Sequence, residues 1–497
     1  MNKLLCIGLF FFFFCTASYA QNDSLLYLKQ YTLNDIVSLA RNQSPQALLA
    51  DTRRQNFYWR YRTYLSDYRP EVYIEGTLPG YLRSNDAIRQ PDGSYEFRRV
   101  NQNLVQLNLG VSQQLGFSGG EIFVQSELQR FDNFEVDETS YSGNPAVIGL
   151  RQPLFGFNEL KWNKEVEPLR YEASKKNYVE EMEQIAVEAT DLYFDVLLQQ
   201  INLNMAQQNL ANNDTIYQIS EGRYNLGKIG ENDLLQVEYN VMRSRQDVAQ
   251  AQLDLETSTL RLRSYLGLND SEPIVLGLPN VIPNFDVNEQ TAISQALQNH
   301  PNPVEYVRRV KEAEREVARA KGNSGLQANL YATYGLTNRG DEFTGLYDTP
   351  ENQQRLQIGF NIPIVNWGRQ KARVKTAEAD YKLTQYSIEQ ERINFEQLVY
   401  TQVKTFKMLR DQVEITRVAD DIANRRFEIA KQRYLIGKIS ITDLNIALQE
   451  KDQARRQYVQ SLRDFWTDFY NLRSLTLYDF SKDQTLLTKE MMEGYID

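Results

Sequence analysis

The chain has 497 residues, 55 of them Lys or Arg and 65 Asp or Glu, for a net charge of −10. An acidic balance of this size disfavours nucleic acid as a partner. With two cysteines and one histidine, it lacks the usual ligands of zinc, copper and haem and the base of a histidine triad, so no metal or other cofactor is expected and only carboxylate-based catalysis stays open.

The N-terminus reads as a secretory signal peptide over 1–20. Lys3 is followed by an apolar run from Leu4 to Cys15 and by Ser18-Tyr19-Ala20, which places small residues where a signal peptidase cuts. The run is too short to span a bilayer. Phe14 stands before Cys15, where lipid attachment needs a small residue. Both Cys6 and Cys15 fall in this segment, so the mature chain has no disulfide. No later stretch approaches the roughly 20 apolar residues of a transmembrane helix.

Leu33 to Asp67 is helix-like. From Pro70 the period becomes two: Val72, Ile74 and Leu78 alternate with Tyr73, Glu75 and Thr77. Val105, Leu107, Leu109 and Val111 repeat the pattern, as do Ile122, Val124 and Leu128, then Ile148 and Leu150. Strict alternation marks strands with one wet and one greasy face. Gly119-Gly120 reads as a tight hairpin turn. Polar loops are expected at Arg83–Phe97, Asp132–Pro145 and Asn338–Gln354. After Pro153 a helical period runs from about Asn158 to Tyr224, some 67 residues or about 100 Å at 1.5 Å per residue. Tyr178, Met182, Ile185, Ala189, Leu192 and Val196 form a seam at spacings of three and four, a coiled-coil pattern. Val237, Val241, Ala251 and Leu262 continue it on a returning helix after the break at Gly227–Gly230.

The second half repeats this order. Leu330 to Leu336 and Leu356 to Ile364 alternate as strands, and Gly368 to Tyr434 is the second long helix, followed by a break at Gly437. Tyr224-Asn-Leu-Gly-Lys-Ile returns as Tyr434-Leu-Ile-Gly-Lys-Ile, 210 residues on, and Asp233-Leu234 returns as Asp443-Leu444. The same spacing carries Pro153 to Pro363, Lys161 to Lys371 and Arg263 to Arg473. Upstream, the stretch from Ala40 to Pro45 is echoed from Ala296 to Pro301 at a spacing of 256, so the first copy carries a longer insert before Pro153. His300, ahead of Pro301, reads as a helix-end residue. The pattern divides the chain into signal 1–20, first repeat 21–284 (strands 70–155, helical hairpin 158–267), second repeat 285–478 (strands 326–365, helical hairpin 368–476) and tail 479–497.

Two copies of strands, proline, very long helix, Tyr-x-x-Gly tip, Asp-Leu and returning helix resemble the TolC-type outer-membrane efflux protein family, from about Thr32 to Leu477. The resemblance implies a mainly α fold with β: a long antiparallel α-helical coiled-coil barrel in the periplasm, continuing into a transmembrane β-barrel shared by a homotrimer in outer-membrane lipid. It implies a passive channel of a tripartite efflux or type I secretion system, not an enzyme, working with a periplasmic adaptor protein and an inner-membrane transporter. It places the periplasmic gate at Asp233, Tyr434 and Asp443, and adaptor docking at the tips around Gly227, Lys228, Gly437 and Lys438. Ile439 stands where the family has a gate arginine and Ile446 where it has a second aspartate, so Lys228 and Lys438 are alternative holders of the entrance. A simpler role for Asp233 and Asp443 is capping the helices they begin. The first half reads as four strands and the second as two, whereas the family gives two per half. A periplasmic coiled-coil scaffold is the competing reading; it leaves the alternating strands unused. A secreted carbohydrate-active or peptidase enzyme is a third, and no carboxylate pair stands out for it.

Overall fold

The structure is a computed structural model that describes residues 30–268, 274–279 and 281–488. The expected signal peptide, with both cysteines, and the end of the expected tail lie outside them. In chain order the first elements are β1 (Gln30–Tyr31), α1 (Leu33–Gln43), α2 (Pro45–Ser66), β2 (Glu71–Thr77), β3 (Tyr81–Arg89), β4 (Tyr95–Leu115), β5 (Gly120–Asn133) and β6 (Glu138–Leu154). The first helical hairpin follows as α3 (Glu159–Asn225) and α4 (Glu231–Leu266). Then come β7 (Val275–Leu276), α5 (Glu289–Asn299), α6 (Pro301–Gly322), β8 (Gln327–Gly340), α7 (Gly345–Asp348) and β9 (Glu351–Asn361). The second hairpin is α8 (Arg369–Leu435) and α9 (Ile441–Thr476), closed by β10 (Tyr478–Asp479) and β11 (Gln484–Thr485).

The helix expected over Leu33 to Asp67 is two helices. Pro45 has no N–H for the preceding turn, so Ser44 swings to ψ 149° and its hydroxyl accepts the Ala47 N–H at 3.1 Å, restarting the helix. His300 does the same ahead of Pro301: ψ is 149° and Nδ1 accepts the Asn302 N–H at 3.2 Å. The long helices α3 and α8 have 67 residues each and the returning α4 and α9 have 36 each. Gly267, which ends α4, faces Gln43 and Pro45. Thus α2 takes over beside α3 where α4 stops, and α6 lies beside α8, where Arg309 pairs with Glu391 at 2.6 Å. None of the described helices is long and apolar enough to cross a membrane.

The main core is a belt around the middle of the helices, where α1, α5 and the β1–β7 pair wrap α3, α8 and α9. Phe406 stacks between Phe285 and Phe465 at centroid distances of 5.4 and 5.2 Å. One polar group in this region is poorly served. Asp468 is 7% exposed, receives one hydrogen bond from Gln402 Nε2 at 2.5 Å, and has no partner for its second oxygen among the described residues. Burial, against the Gln402 bond and with the charge of Asp464, pushes its pKa up to about 7. A carboxyl raised on folding stabilises the protonated state. Its contribution is therefore whole below the ordinary carboxylate range and falls by about 1.4 kcal/mol per pH unit as pH rises to about 7. Asp468→Asn should outlast the parent in urea at pH 8, with the gap closing towards pH 4; a gap constant with pH would refute this.

Apart from the β1–β7 and β10–β11 pairs, the strands form one antiparallel sheet in the order β2–β4–β5–β6–β8–β9, with β3 also on β4. Pro79 interrupts what is one strand: Thr77 pairs with Gln106, Gly80 exchanges both backbone bonds with Leu104, and Tyr81 pairs with Asn103. The sheet therefore has six strand positions, four from the first half and two from the second. The three expected polar loops are shorter than read. Arg83–Arg89 pairs with Tyr95–Asn101, and β5, β6, β8 and β9 run into the other two. The upper β3–β4 hairpin rises beyond Asn133, the outer end of β5. There backbone pairing holds the strands while neither face needs to be apolar, so no alternation announces them.

Candidate functional site

The two hairpin tips share one construction. Gly227 (φ +65°) and Gly437 (φ +76°) take the left-handed conformation that ends a helix at least steric cost. Gly227 N–H donates to Tyr224 O at 2.8 Å and Lys228 N–H to Arg223 O at 2.9 Å; Gly437 and Lys438 repeat this on Tyr434 and Arg433 at 2.8 and 2.9 Å. This is a Schellman cap, and it accounts for the glycine of the repeated Tyr-x-x-Gly-Lys-Ile motif. The side chains of Lys228 and Lys438 are exposed, with no ion-pair or hydrogen-bond partner among the described residues.

The starts of the returning helices differ. Ser440 and Asp443 form a full capping box: Asp443 N–H donates to Ser440 Oγ at 3.2 Å, and Ser440 N–H and Oγ donate to Asp443 Oδ2 at 3.0 and 2.7 Å. These Ser440 bonds hold the Asp443 carboxyl below the usual carboxylate range, with a smaller contribution from the Arg433 charge. Asp443 therefore stays anionic at the tip at any ordinary pH. The equivalent cap of α4 is Gly230, which offers no hydroxyl, and it makes no side-chain cap. The Asp233 N–H donates to Gly230 O at 3.2 Å, but its carboxylate makes no hydrogen bond among the described residues. The capping expected of Asp233 is therefore absent; its exposed carboxylate only sits in the favourable first turn.

Asp233 and Tyr434 do not meet within the chain. Tyr434 is buried, and its hydroxyl bonds Ser220 Oγ at 3.1 Å. The Arg223 guanidinium donates to Leu435 O at 2.6 Å and Tyr434 O at 3.4 Å, and lies 5.6 Å from the Tyr434 ring centroid. Arg223 thus closes the Leu435 carbonyl, which the last turn of α8 leaves open, and adds a longer bond to the Tyr434 carbonyl already capped by Gly437. Under these contacts, Ile216, Val237, Phe427, Ile441 and Leu444 form a small core joining the two hairpins. Ser220 and Arg223 were missed in the sequence because they act across more than 200 residues. The described residues contain no cluster of groups able to hold a metal ion.

A longer feature also escaped the sequence reading. Met408, Ile415, Ile422 and Ile429 recur every seven residues along α8, with Ile436 next at its C-cap, and all are 58–65% exposed. The opposite side of α8 is already occupied by Phe395, Val399, Val403, Phe406, Val413 and Phe427, buried against this chain. Its strict period was the legible signal. An exposed heptad stripe is half of a coiled-coil seam.

The sequence matches the family described as Outer membrane efflux protein over residues 107–268 and 292–476. The chain belongs to the outer membrane efflux protein family. It is an efflux channel of the outer membrane and not an enzyme. It is 24% identical over 417 residues to the probable outer membrane lipoprotein SilC of Salmonella typhimurium, covering 82% of this chain and 80% of that one. In structure it resembles the CmeC outer membrane channel of Campylobacter jejuni, with a TM-score of 0.67 at 17% identity, covering 93% of this chain and 88% of CmeC. The open-state MtrE channel of Neisseria gonorrhoeae gives a TM-score of 0.62 at 14% identity, covering 91% of both chains. These structural likenesses show the fold, mainly helical with strands, of an efflux channel.

For this family member the Arg223 contact has a measurable consequence. A hydrogen bond to a charged donor contributes about 1.5–3 kcal/mol. If that energy favours the closed tip, losing it raises the open-to-closed ratio on the order of ten- to a hundredfold. Arg223→Ala is expected to raise resting conductance in planar bilayers and Arg223→Lys to raise it less. Conductance equal to the parent in both variants would show that this contact does not hold the entrance.

Proposed function

We propose that three copies of this chain form one conduit, a β-barrel in the outer membrane continued by a helical tunnel into the periplasm, that passively conducts substrates outward. The observation that carries this is the heptad stripe on α8, which is apolar, exposed and in coiled-coil register. A helix of a second copy is its natural cover. The open six-position sheet points the same way, since no strand edge can face lipid unpaired. The stretch 21–284 and the stretch 285–478 are two copies of one unit. In support, Glu159 and Arg369 begin, and Asn225 and Leu435 end, helices 210 residues apart, while α1 and α5, like α2 and α6, are 256 apart.

The tips around Gly227, Lys228, Gly437 and Lys438 are the docking surface for a periplasmic adaptor. Their unpartnered lysines suit an acidic counterpart. Asp233 and Tyr434 would contribute to the closed entrance between neighbouring copies, and Asp443 would keep a negative charge at the pore. An inner-membrane transporter supplies the energy, since nothing in the chain binds a nucleotide or a cofactor by pattern. The test is the mature protein purified in detergent. A trimeric mass by light scattering, with ion conductance after insertion into a planar bilayer, is expected. A monomer without conductance would refute the conduit.

A further inference from the structure

Between Ser66 and Glu159, the last and first residues of α2 and α3, lie 92 residues; between Gly322 and Arg369, their counterparts in the second half, lie 46. The first half has twice the strand segment. The surplus is one hairpin, β2 and β3 with β4, and it stands inside the wall of the sheet. Gln102–Leu115 of β4 pairs without interruption with Gly120–Asn133 of β5.

The side chains place the hairpin in the same surface as the other strands. Val72 pairs with Val111, Val111 with Val124, Val124 with Ile148 and Ile148 with Tyr334, so one apolar row crosses five strands on one face. Val72 is 70% exposed and Ile148 52%, at opposite ends of that row's aliphatic part. The other face carries a polar network at the same strands, beside the stacked Phe123–Tyr331 pair. Asn108 Nδ2 donates to Glu75 at 3.1 Å, and Glu127 accepts from Gln106 at 2.9 Å and Asn144 at 3.1 Å. A sheet greasy on one side and wet on the other, across old and added strands alike, is a barrel wall between lipid and water.

On the trimeric reading above, we propose that each copy supplies six strands, and that the β2–β3 edge of one copy pairs with the β9 edge of the next, closing an eighteen-stranded barrel. The directions allow it. With six positions in strict antiparallel alternation, the two edge strands run oppositely, so each junction is itself antiparallel. A twelve-stranded barrel would instead have to strip β4 from the fourteen paired residues of β5 and leave the apolar row of β2 and β4 without lipid. At 4.8 Å between strands and a tilt near 40°, eighteen strands give a backbone diameter of about 36 Å, against about 24 Å for twelve. Barrels of this strand number hold an aqueous channel. The outer mouth is then wide, and control of passage falls to the helical tips.

Electron cryo-microscopy of the mature protein in lipid nanodiscs decides this without any substitution. Eighteen strands in the barrel section are expected. A trimer with twelve overturns the eighteen-stranded barrel and leaves the conduit standing; a particle without a shared barrel overturns both. Crosslinking provides a second measurement, since the mature chain has no native cysteine. Tyr73→Cys on β2, paired in turn with Gln353→Cys, Arg355→Cys or Gln357→Cys on β9, should give intersubunit disulfides visible as a ladder on non-reducing gels. Gln125→Cys on β5 with the same three should give none. A ladder from β5, or none from β2 in a protein that remains trimeric, would overturn the proposed junction.

Discussion

Replacing Arg473 by alanine is expected to cost about 3–5 kcal/mol of stability, the range for removing one partner of a buried ion pair. Arg473 comes from the last turn of α9 and its side chain is 11% exposed. Its guanidinium reaches Glu183 on α3 with two nitrogens, at 2.9 and 3.2 Å, and Asp479 on β10 at 2.5 Å. Glu183 and Asp479 are 5% and 2% exposed. Burial alone would lower the Arg473 pKa, but the charge and hydrogen bonds of Glu183, then Asp479, raise it overall. Without the arginine, Asp479 keeps only its hydrogen bonds with Ser481, and Glu183 keeps Arg41 at 2.7 Å. Arg41, Glu183, Arg473 and Asp479 together tie α1, α3, α9 and β10. A urea titration followed by the helical circular dichroism signal should show the shift. Arg473→Lys should recover little, because an ammonium cannot make the paired contact. Arg417→Ala, which breaks an exposed pair with Glu414, should leave the midpoint unmoved. Equal midpoints for the two alanine variants would contradict this account.

The double substitution Ile415→Asp and Ile422→Asp is expected to abolish assembly while sparing the chain's own fold. Both side chains are 60–63% exposed in the single chain, so the carboxylates meet water there and change little. In a trimer each would enter a coiled-coil seam. Burying an uncompensated charge costs several kcal/mol per ion, and the symmetry of the assembly repeats that cost at every interface. The variant should elute as a monomer with parental helicity and should not conduct. Substitution on the other side of α8, at fully buried Val403, should do the reverse and damage the fold itself. A trimer that persists in the double variant would show that the stripe is not the seam.

The helical half of this protein was written in the sequence. A chain with prolines at 153 and 363, Asn158 in a capping position and glycines at 227 and 437 can start and stop its long helices in few places, because these signals act on the nearest turn of backbone. The 210-residue spacing was legible for the same reason: each copy obeys its own local rules. The alternating strands were legible wherever one face is greasy. The polar end of the β3–β4 hairpin was not, because its pairing depends on backbone bonds to a neighbour and leaves no mark on side-chain period. Tertiary structure alone decided three things. It decided that within one chain the tip tyrosine at 434 is held by Ser220 and Arg223, since those contacts join segments more than 200 residues apart. It decided that Asp443 caps its helix and Asp233 does not, since the difference lies in Ser440 against Gly230. And it decided that the longer first segment adds a hairpin to the same sheet, since only the ladder between β4 and β5 shows on which surface those residues come to rest.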